Sequence, residues 1–203
     1  MTASEHPETV NERPATAPTP DRLDLALGRK LAAGRDADVF DLDDGRVLRR
    51  NRKGESAQRE AEIIRHARAH GYSAPAVYED AGPDLVMERL TGPTMLEDLG
   101  KHPWLVWRHA RLLAALHRRL AMIPPLAWLQ PFPPVTTSPE QPGTLGSAAP
   151  GQPAEPDCLL HLDLHPANVI LTPHGPVVID WSSAKRGTVA SAVALTWVIM
   201  ATS

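Results

Sequence analysis

Hydrophobic spacing changes period along the chain. Residues 25–33, then Asp38-Val39-Phe40-Asp41-Leu42, read as strands ahead of Asp43-Asp44-Gly45. Asp-Gly between two such runs is a hairpin signal, so Arg46-Val47-Leu48-Arg49 is the return strand. Helical spacing follows: Ala61, Ile63, Ile64 and Ala67 share one side, with Ser56 placed to cap the start and Gly71 to end the helix. Ala76-Val77-Tyr78 and Asp84-Leu85-Val86-Met87-Glu88 are two further strands around a turn at 80–83. The predicted order is strand, strand, strand, helix, strand, strand. Residues 94–99 form a short helix. Over 105–123, Val106, Ala110, Leu113, Leu116 and Leu120 recur at three- and four-residue steps, a long core-facing helix. A hairpin is expected from Val169-Ile170-Leu171-Thr172, through Pro173-His174-Gly175, to 176–181, and a last helix over 190–202.

Proline alters this picture in two places. The 203 residues include 21 Pro, nearly twice average usage. They crowd into 1–20 and 124–156, where apolar residues are too sparse to offset the entropy of ordering. Residues 1–20 are therefore expected as a disordered tail and 124–156 as a mobile insertion. The hydrophobic content of 42% supports a core elsewhere. A net charge of -3 argues against a protein that coats nucleic acid. The single cysteine, Cys158, excludes an internal disulfide framework and fits a reducing compartment. Residues 1–20 lack the apolar core of a secretory signal, and the apolar run at 189–201 is too short to span a bilayer. These readings point to a cytoplasmic protein with no membrane segment. They specify no oligomeric state.

Asp163, Asn168 and Asp180 are the residues with the most chemistry to offer. Asp163 and Asn168 share one irregular loop, and Asp180 follows across the hairpin. Four residues out at ~3.3 Å each and a similar run back return the chain to its start, which puts Asp180 beside Asn168. A carboxamide oxygen and a carboxylate suit Mg²⁺, an ion that also keeps phosphate oxygens and water. Asp163 then lies where a hydroxyl nucleophile approaches and can take or orient its proton. A competing set is His161, Asp163 and His165, which share a face of an extended strand and suit a metal hydrolase or oxygenase; it leaves Asn168 and Asp180 unexplained. A third reading makes the polar loop residues turn-stabilising only.

The run His161-x-Asp163-x-His165-Pro166-x-Asn168, with Val178-Ile179-Asp180-Trp181, resembles the catalytic and metal-binding segments of the aminoglycoside phosphotransferase and choline kinase-like family. These are small-molecule relatives of protein kinases. The resemblance implies an α+β, protein kinase-like two-lobed fold. Its N-lobe, 21–90, is a small antiparallel sheet with one helix; a truncated, mainly helical C-lobe covers 91–203. It implies ATP and Mg²⁺ as cofactors, with Asn168 and Asp180 on the metal, Asp163 as the catalytic residue, and a small-molecule hydroxyl as acceptor. Ala32-x-Gly34-x-x-Ala37-x-Val39 matches the loop that covers the phosphates, though it keeps one of three glycines. By the same resemblance Val47 lies against the nucleotide and Arg49 replaces the phosphate-holding lysine. Glu60 matches the glutamate that braces that base. Met87, Glu88 and Leu90 match the adenine-binding hinge. Leu113-x-x-Leu116-His117 resembles the helix behind the catalytic loop.

Ala192 stands where relatives often carry a bracing aspartate, and few residues follow Asp180. This motivates an alternative: a non-catalytic pseudokinase or truncated remnant that binds nucleotide or a partner. No acidic cluster suited to a cationic aminoglycoside is visible. For Arg49 and Glu60 the plain alternative is a solvated surface pair. Arg46, Arg49, Arg50, Arg52 and Lys53 read together as a solvated basic hairpin edge, and Trp104, Trp107, Trp128 and Trp197 as core or lobe packing. Cys158 reads as a buried small residue, and His161 as a backbone hydrogen-bonder with no catalytic role.

Overall fold

In the computed structural model, the described residues are 23, 25, 27–34, 36–42, 44–132 and 157–188. The expected tail at 1–20 and the helix at 190–202 lie outside them, as do residues 133–156 of the expected insertion. The first half is a five-stranded antiparallel sheet in the order β1-β2-β3-β5-β4. Its strands are β1 (Lys30–Ala33), β2 (Ala37–Asp41), β3 (Arg46–Asn51), β4 (Val77–Ala81) and β5 (Asp84–Glu88). Helix α1 (Gln58–Ala69) lies between β3 and β4 and buries Ala61, Ile63, Ile64 and Ala67, the four residues its period selected. Gly71 takes φ +75, where it accepts no steric penalty, and the Tyr72 N–H reaches back to the Ala67 carbonyl at 3.0 Å to close the helix end. At the other end the expected cap shifts by one residue. Ala57 occupies the cap position without a side-chain bond, and the Ser56 hydroxyl accepts the Gln58 N–H at 3.3 Å from one residue further out.

The second half begins with α2 (Met95–Lys101), opened by a reciprocal pair in which the Thr94 hydroxyl accepts the Glu97 N–H and the Glu97 carboxylate accepts the Thr94 N–H. Helix α3 (Val106–Leu120) buries Leu113, Leu116 and Leu120. Val106 and Ala110, expected on that face, are exposed. His109 takes the inward place instead, because its Nε2 reaches Asp98 of α2 at 2.7 Å. Trp104 and Trp107 are 70% and 76% exposed, which corrects their reading as packing residues. They sit at and before the first turn of α3, outside the stripe that faces the core.

Strands β7 (Val169–Thr172) and β8 (Gly175–Val178) form the expected hairpin. Strands β6 (Cys158–Leu160) and β9 (Lys185–Gly187) form a second pair. Cys158 is buried, with its Sγ 3.3 Å from the Gly187 carbonyl. Residues 124–132, read as part of the mobile insertion, are held in place. Leu129 is buried, and Gln130 and Phe132 hydrogen-bond both sides of Arg186 at 3.1 and 2.7 Å. The backbone of β9 supplies these partners, and a local reading of proline content cannot anticipate them. One hydrophobic cluster runs from α1 through Leu85 and Met95 to α3, Leu159, Val169 and Trp181. No helix among the described residues is long and apolar enough to cross a membrane.

Candidate active site

The loop between β6 and β7 is fixed from beneath by His161. This ring is 1% exposed. Its Nε2 faces the Ile179 carbonyl at 3.1 Å, and its Nδ1 accepts the Asp163 N–H at 3.3 Å. The ring is therefore neutral, with its proton on Nε2. Burial holds its pKa down, at about 4, although Asp180 and the Ile179 carbonyl favour the charged form. Leu162 takes φ +63, uncommon for a residue with a branched side chain, and turns the chain so that Asp163 emerges beyond it.

Asp163 meets Asn168 directly. The Asn168 amide nitrogen donates to the Asp163 carbonyl at 2.9 Å and to its Oδ2 at 2.8 Å. The amide oxygen is thereby left for other partners. His165, between them in sequence, accepts the Ala167 N–H on Nδ1 at 3.3 Å, which leaves its proton on Nε2, 3.3 Å from Asp163 Oδ1. Both Asp163 oxygens are thus held, while the side chain stays 38% exposed. Sequence reasoning missed this orienting part for His165. Its position two residues after Asp163 was the available signal.

Asp180 arrives from the other arm. The hairpin returns so that the Ile179 N–H donates to the Asn168 carbonyl at 3.0 Å, which makes Asp180 the next residue beyond that link. Asp180 also has φ +63. The Ser182 hydroxyl donates to its Oδ1 at 2.8 Å, and Arg49 Nη2 lies 3.6 Å from the same oxygen. Trp181, fully buried, stacks edge-on against Tyr72 and His161 with ring centroids 5.6 and 4.7 Å apart, and anchors the segment that carries Asp180. The sequence reading noted Trp181 only as part of a motif.

The sheet contributes Arg49. Val39 faces Arg49 across β2 and β3, and Val47 faces Met87 across β3 and β5. Pleat alternation then puts Val39, Val47, Arg49 and Met87 on one face. Arg49 pairs with Glu60 of α1, and their side chains are 14% and 8% exposed, which corrects the solvated surface pair. Burial and the nearby Asp180 raise the Glu60 pKa; Arg49 and the Trp181 N–H oppose that rise. One carboxylate therefore ties sheet, helix and the Asp180 segment together. The remaining cations of the basic edge are also matched: Arg46 to Asp44, Arg52 to Asp38, Lys53 to Asp36, and Arg50 to the fully buried Asp84 through two bonds of 2.6 and 2.8 Å. Arg50 stands opposite Asp84 in the β3–β5 register, so sheet pairing makes this contact.

Gly34 lies in the turn from β1 to β2, its N–H on the Ala37 carbonyl at 2.9 Å; a Cβ there would come 3.2 Å from that oxygen. Glu88 ends β5. Its N–H donates to the Ala76 carbonyl, and its carboxylate accepts the Ala76 N–H at 3.1 Å. Leu90 follows in the connection to α2, after Arg89, which pairs with Asp41 at 2.7 Å. A cavity of about 460 Å³ opens beside Arg49 and Glu60, toward Lys53, Arg59, Trp128 and Ser182. Among the described residues no group of three or more His, Cys, Asp or Glu is placed to hold a metal.

A family profile described as "Phosphotransferase enzyme family" matches residues 28–203. No curated protein matches the chain. Among solved structures, a choline/ethanolamine kinase family protein from Mesorhizobium loti is 16% identical, with a TM-score of 0.58. The match covers 81% of this chain, which spans only 61% of that protein's length. The streptomycin–ATP–APH(2″)-IIa ternary complex is 19% identical over 82% of this chain and 69% of that one, with a TM-score of 0.56. APH(4)-Ia, in a ternary complex with AMP-PNP and hygromycin B, is 17% identical over the same shares, with a TM-score of 0.57. At these identities the likeness is one of fold: the two-part, kinase-like architecture with an antiparallel-sheet first lobe.

Proposed function

Because the chain belongs to the phosphotransferase enzyme family, we propose that it transfers the γ-phosphoryl group of ATP to a hydroxyl of a small molecule. One observation carries this reading. Asp163 and Asn168 are hydrogen-bonded to each other, and a backbone bond from Ile179 to Asn168 brings Asp180 beside Asn168, with Arg49 Nη2 3.6 Å from its carboxylate. The donor set fits a hard divalent cation: Asn168 offers its amide oxygen because its nitrogen is spent on Asp163, and Asp180 offers a carboxylate. Two protein oxygens are few, which suits Mg²⁺, since that ion keeps water and substrate phosphate oxygens. Bound there, Mg²⁺ supplies charge neutralisation on the phosphates.

The chain's own residues do the rest. Arg49, braced by Glu60, holds phosphate oxygens as a fork. Val39, Val47 and Met87 present an apolar face to the adenine, with the backbone of Glu88 and Leu90 at its edge, and Gly34 lets the β1–β2 turn close over the phosphates. Asp163 orients the acceptor hydroxyl and takes its proton as the new oxygen–phosphorus bond forms and the bond to the ADP oxygen breaks. Its carboxylate is held by Asn168 and His165, so placement precedes reaction; phosphoryl transfer asks for little more than placement and charge neutralisation.

Thermal unfolding with and without Mg-ATP tests the binding half. Saturating nucleotide raises Tm by several degrees; Asp180→Ala abolishes the Mg-dependent rise. Asp163→Asn keeps the rise while ADP formation falls by roughly 100-fold or more. No Mg-dependent rise in the native protein rejects the reading. The exposed Trp104 and Trp107 favour one second reading, a protein that binds nucleotide or a partner without turnover. As a nucleotide binder it shares the Tm rise and shows no ADP formation with any hydroxyl acceptor.

A further inference from the structure

A second cavity, of about 410 Å³, opens where the end of α1, the 71–74 segment, the β5–α2 connection, the end of α3 and the β7–β8 turn meet. Glu88 and Leu90, placed at the adenine edge above, also line it, whereas Val39, Val47, Arg49, Asp163, Asn168 and Asp180 do not. Its charge is one-sided. Arg68, Arg89 and Arg119 line it against a single carboxylate, Glu88, which already accepts the Ala76 N–H. Arg89 is paired with Asp41. Arg68 and Arg119 are not paired with a carboxylate among the described residues; each is held by a backbone carbonyl. Arg68 Nη1 donates to Ala74 at 2.5 Å and Arg119 Nη2 to Gly71 at 2.5 Å.

Those two carbonyls bound one short turn, so the turn fixes both guanidiniums at the same cavity. Each keeps further N–H groups to donate. Arg119 also lies over the Tyr72 ring, 5.9 Å from its centroid. Forks fixed in advance lose little entropy when they bind, and a guanidinium matches a carboxylate or phosphate with two parallel bonds. The volume falls within the range of small-molecule sites. We propose that this cavity binds a small oxyanion, a phosphate- or carboxylate-bearing metabolite, between Arg68 and Arg119. The proposal does not depend on the activity proposed above.

Titration calorimetry on the full chain tests it, in EDTA and without nucleotide, with pyrophosphate and citrate as separate probes. One of the two binds with 1:1 stoichiometry and weakens as salt rises; pyrophosphate identifies a phosphate ligand and citrate a polycarboxylate. Arg68→Gln and Arg119→Gln each weaken it about tenfold, and Arg49→Gln leaves it unchanged. Circular dichroism confirms folding of each variant. Should either glutamine variant fail to fold, Arg68→Lys and Arg119→Lys take its place: they keep the charge, lose the fork, and weaken binding. Heat from neither probe overturns the proposal. So does binding that survives substitution of Arg68 and Arg119, or that is lost with Arg49→Gln, which would place the anion beside Glu60 instead.

Discussion

His161 shows how one buried side chain ties the candidate site to pH. Its ring must stay neutral to accept the Asp163 N–H while donating to Ile179. Its folded pKa, about 4, lies below the ordinary histidine value of 6.5, so the unfolded chain binds the proton more readily. The stabilising contribution is fully present above 6.5 and is lost as pH falls toward 4. At 1.36 kcal/mol per unit the loss amounts to about 3 kcal/mol. His117, also held down by burial, adds in the same direction. Glu60, whose pKa is raised, acts oppositely: its contribution is lost as pH rises through the raised value. Urea unfolding of the native protein from pH 7 to 4 is expected to show this loss, and His161→Gln, less stable throughout, to show a clearly shallower slope. Equal slopes would mean that His161 does not carry the effect. The backbone-bonding role of His161 was legible in the sequence because the residue stands at the start of the irregular loop that carries Asp163 and Asn168. The anchoring by Trp181 was not, because its two aromatic partners are remote in the chain.

Elements were legible where local pattern decides them. The alternation around Asp44-Gly45 and the spacing of Ile63, Ile64 and Ala67 gave β2, β3 and α1 because the same residues that set the period also face the core. The outer half of α3 misled for the converse reason: Val106 and Ala110 continue the apolar stripe, yet a hydrogen bond from His109 to Asp98 sets which side of that turn faces inward. Gly92 is an element-level constraint no period reveals. It has φ +142, and a Cβ there would lie 2.1 Å from the Leu171 carbonyl oxygen. The connection from β5 crosses β7 at this point; the Leu171 N–H donates to the Pro93 carbonyl at 2.9 Å, and Thr94 bridges Ile170. Backbone cannot give way as a flexible side chain does. Gly92→Ala is expected to cost more than about 2 kcal/mol, read as a lower urea midpoint. Thr94→Ala, which removes only the α2 cap, should cost about 1 kcal/mol and serves as the control. Equal losses in the two variants would show that the crossing tolerates a side chain.

At the scale of the whole molecule, the two-part body was legible because the polar motif and the strand–helix order are both local signals that point to the same architecture. The edge of the proline-rich stretch was not, since composition is blind to a distant strand that offers hydrogen bonds. That strand, β9, also explains how the chain accommodates residues 133–156. On one side its Arg186 meets Gln130 and Phe132; on the other, β9 pairs with β6 through Cys158 and Leu160. The chain therefore leaves and re-enters across a single intervening strand, a gap of about two strand spacings or ~10 Å. A gap of that size needs only a few residues to bridge. Loop-closure entropy grows slowly with length, so a linker about one quarter as long differs in closure cost by only roughly 1 kcal/mol. Replacing those residues with a glycine–serine linker of about six residues is expected to preserve the Mg-ATP rise in Tm and to leave the urea midpoint equal or slightly higher. A loss of several kcal/mol would show that 133–156 packs against the core and belongs to the fold. A loss of the nucleotide response at unchanged stability would place that segment in the site.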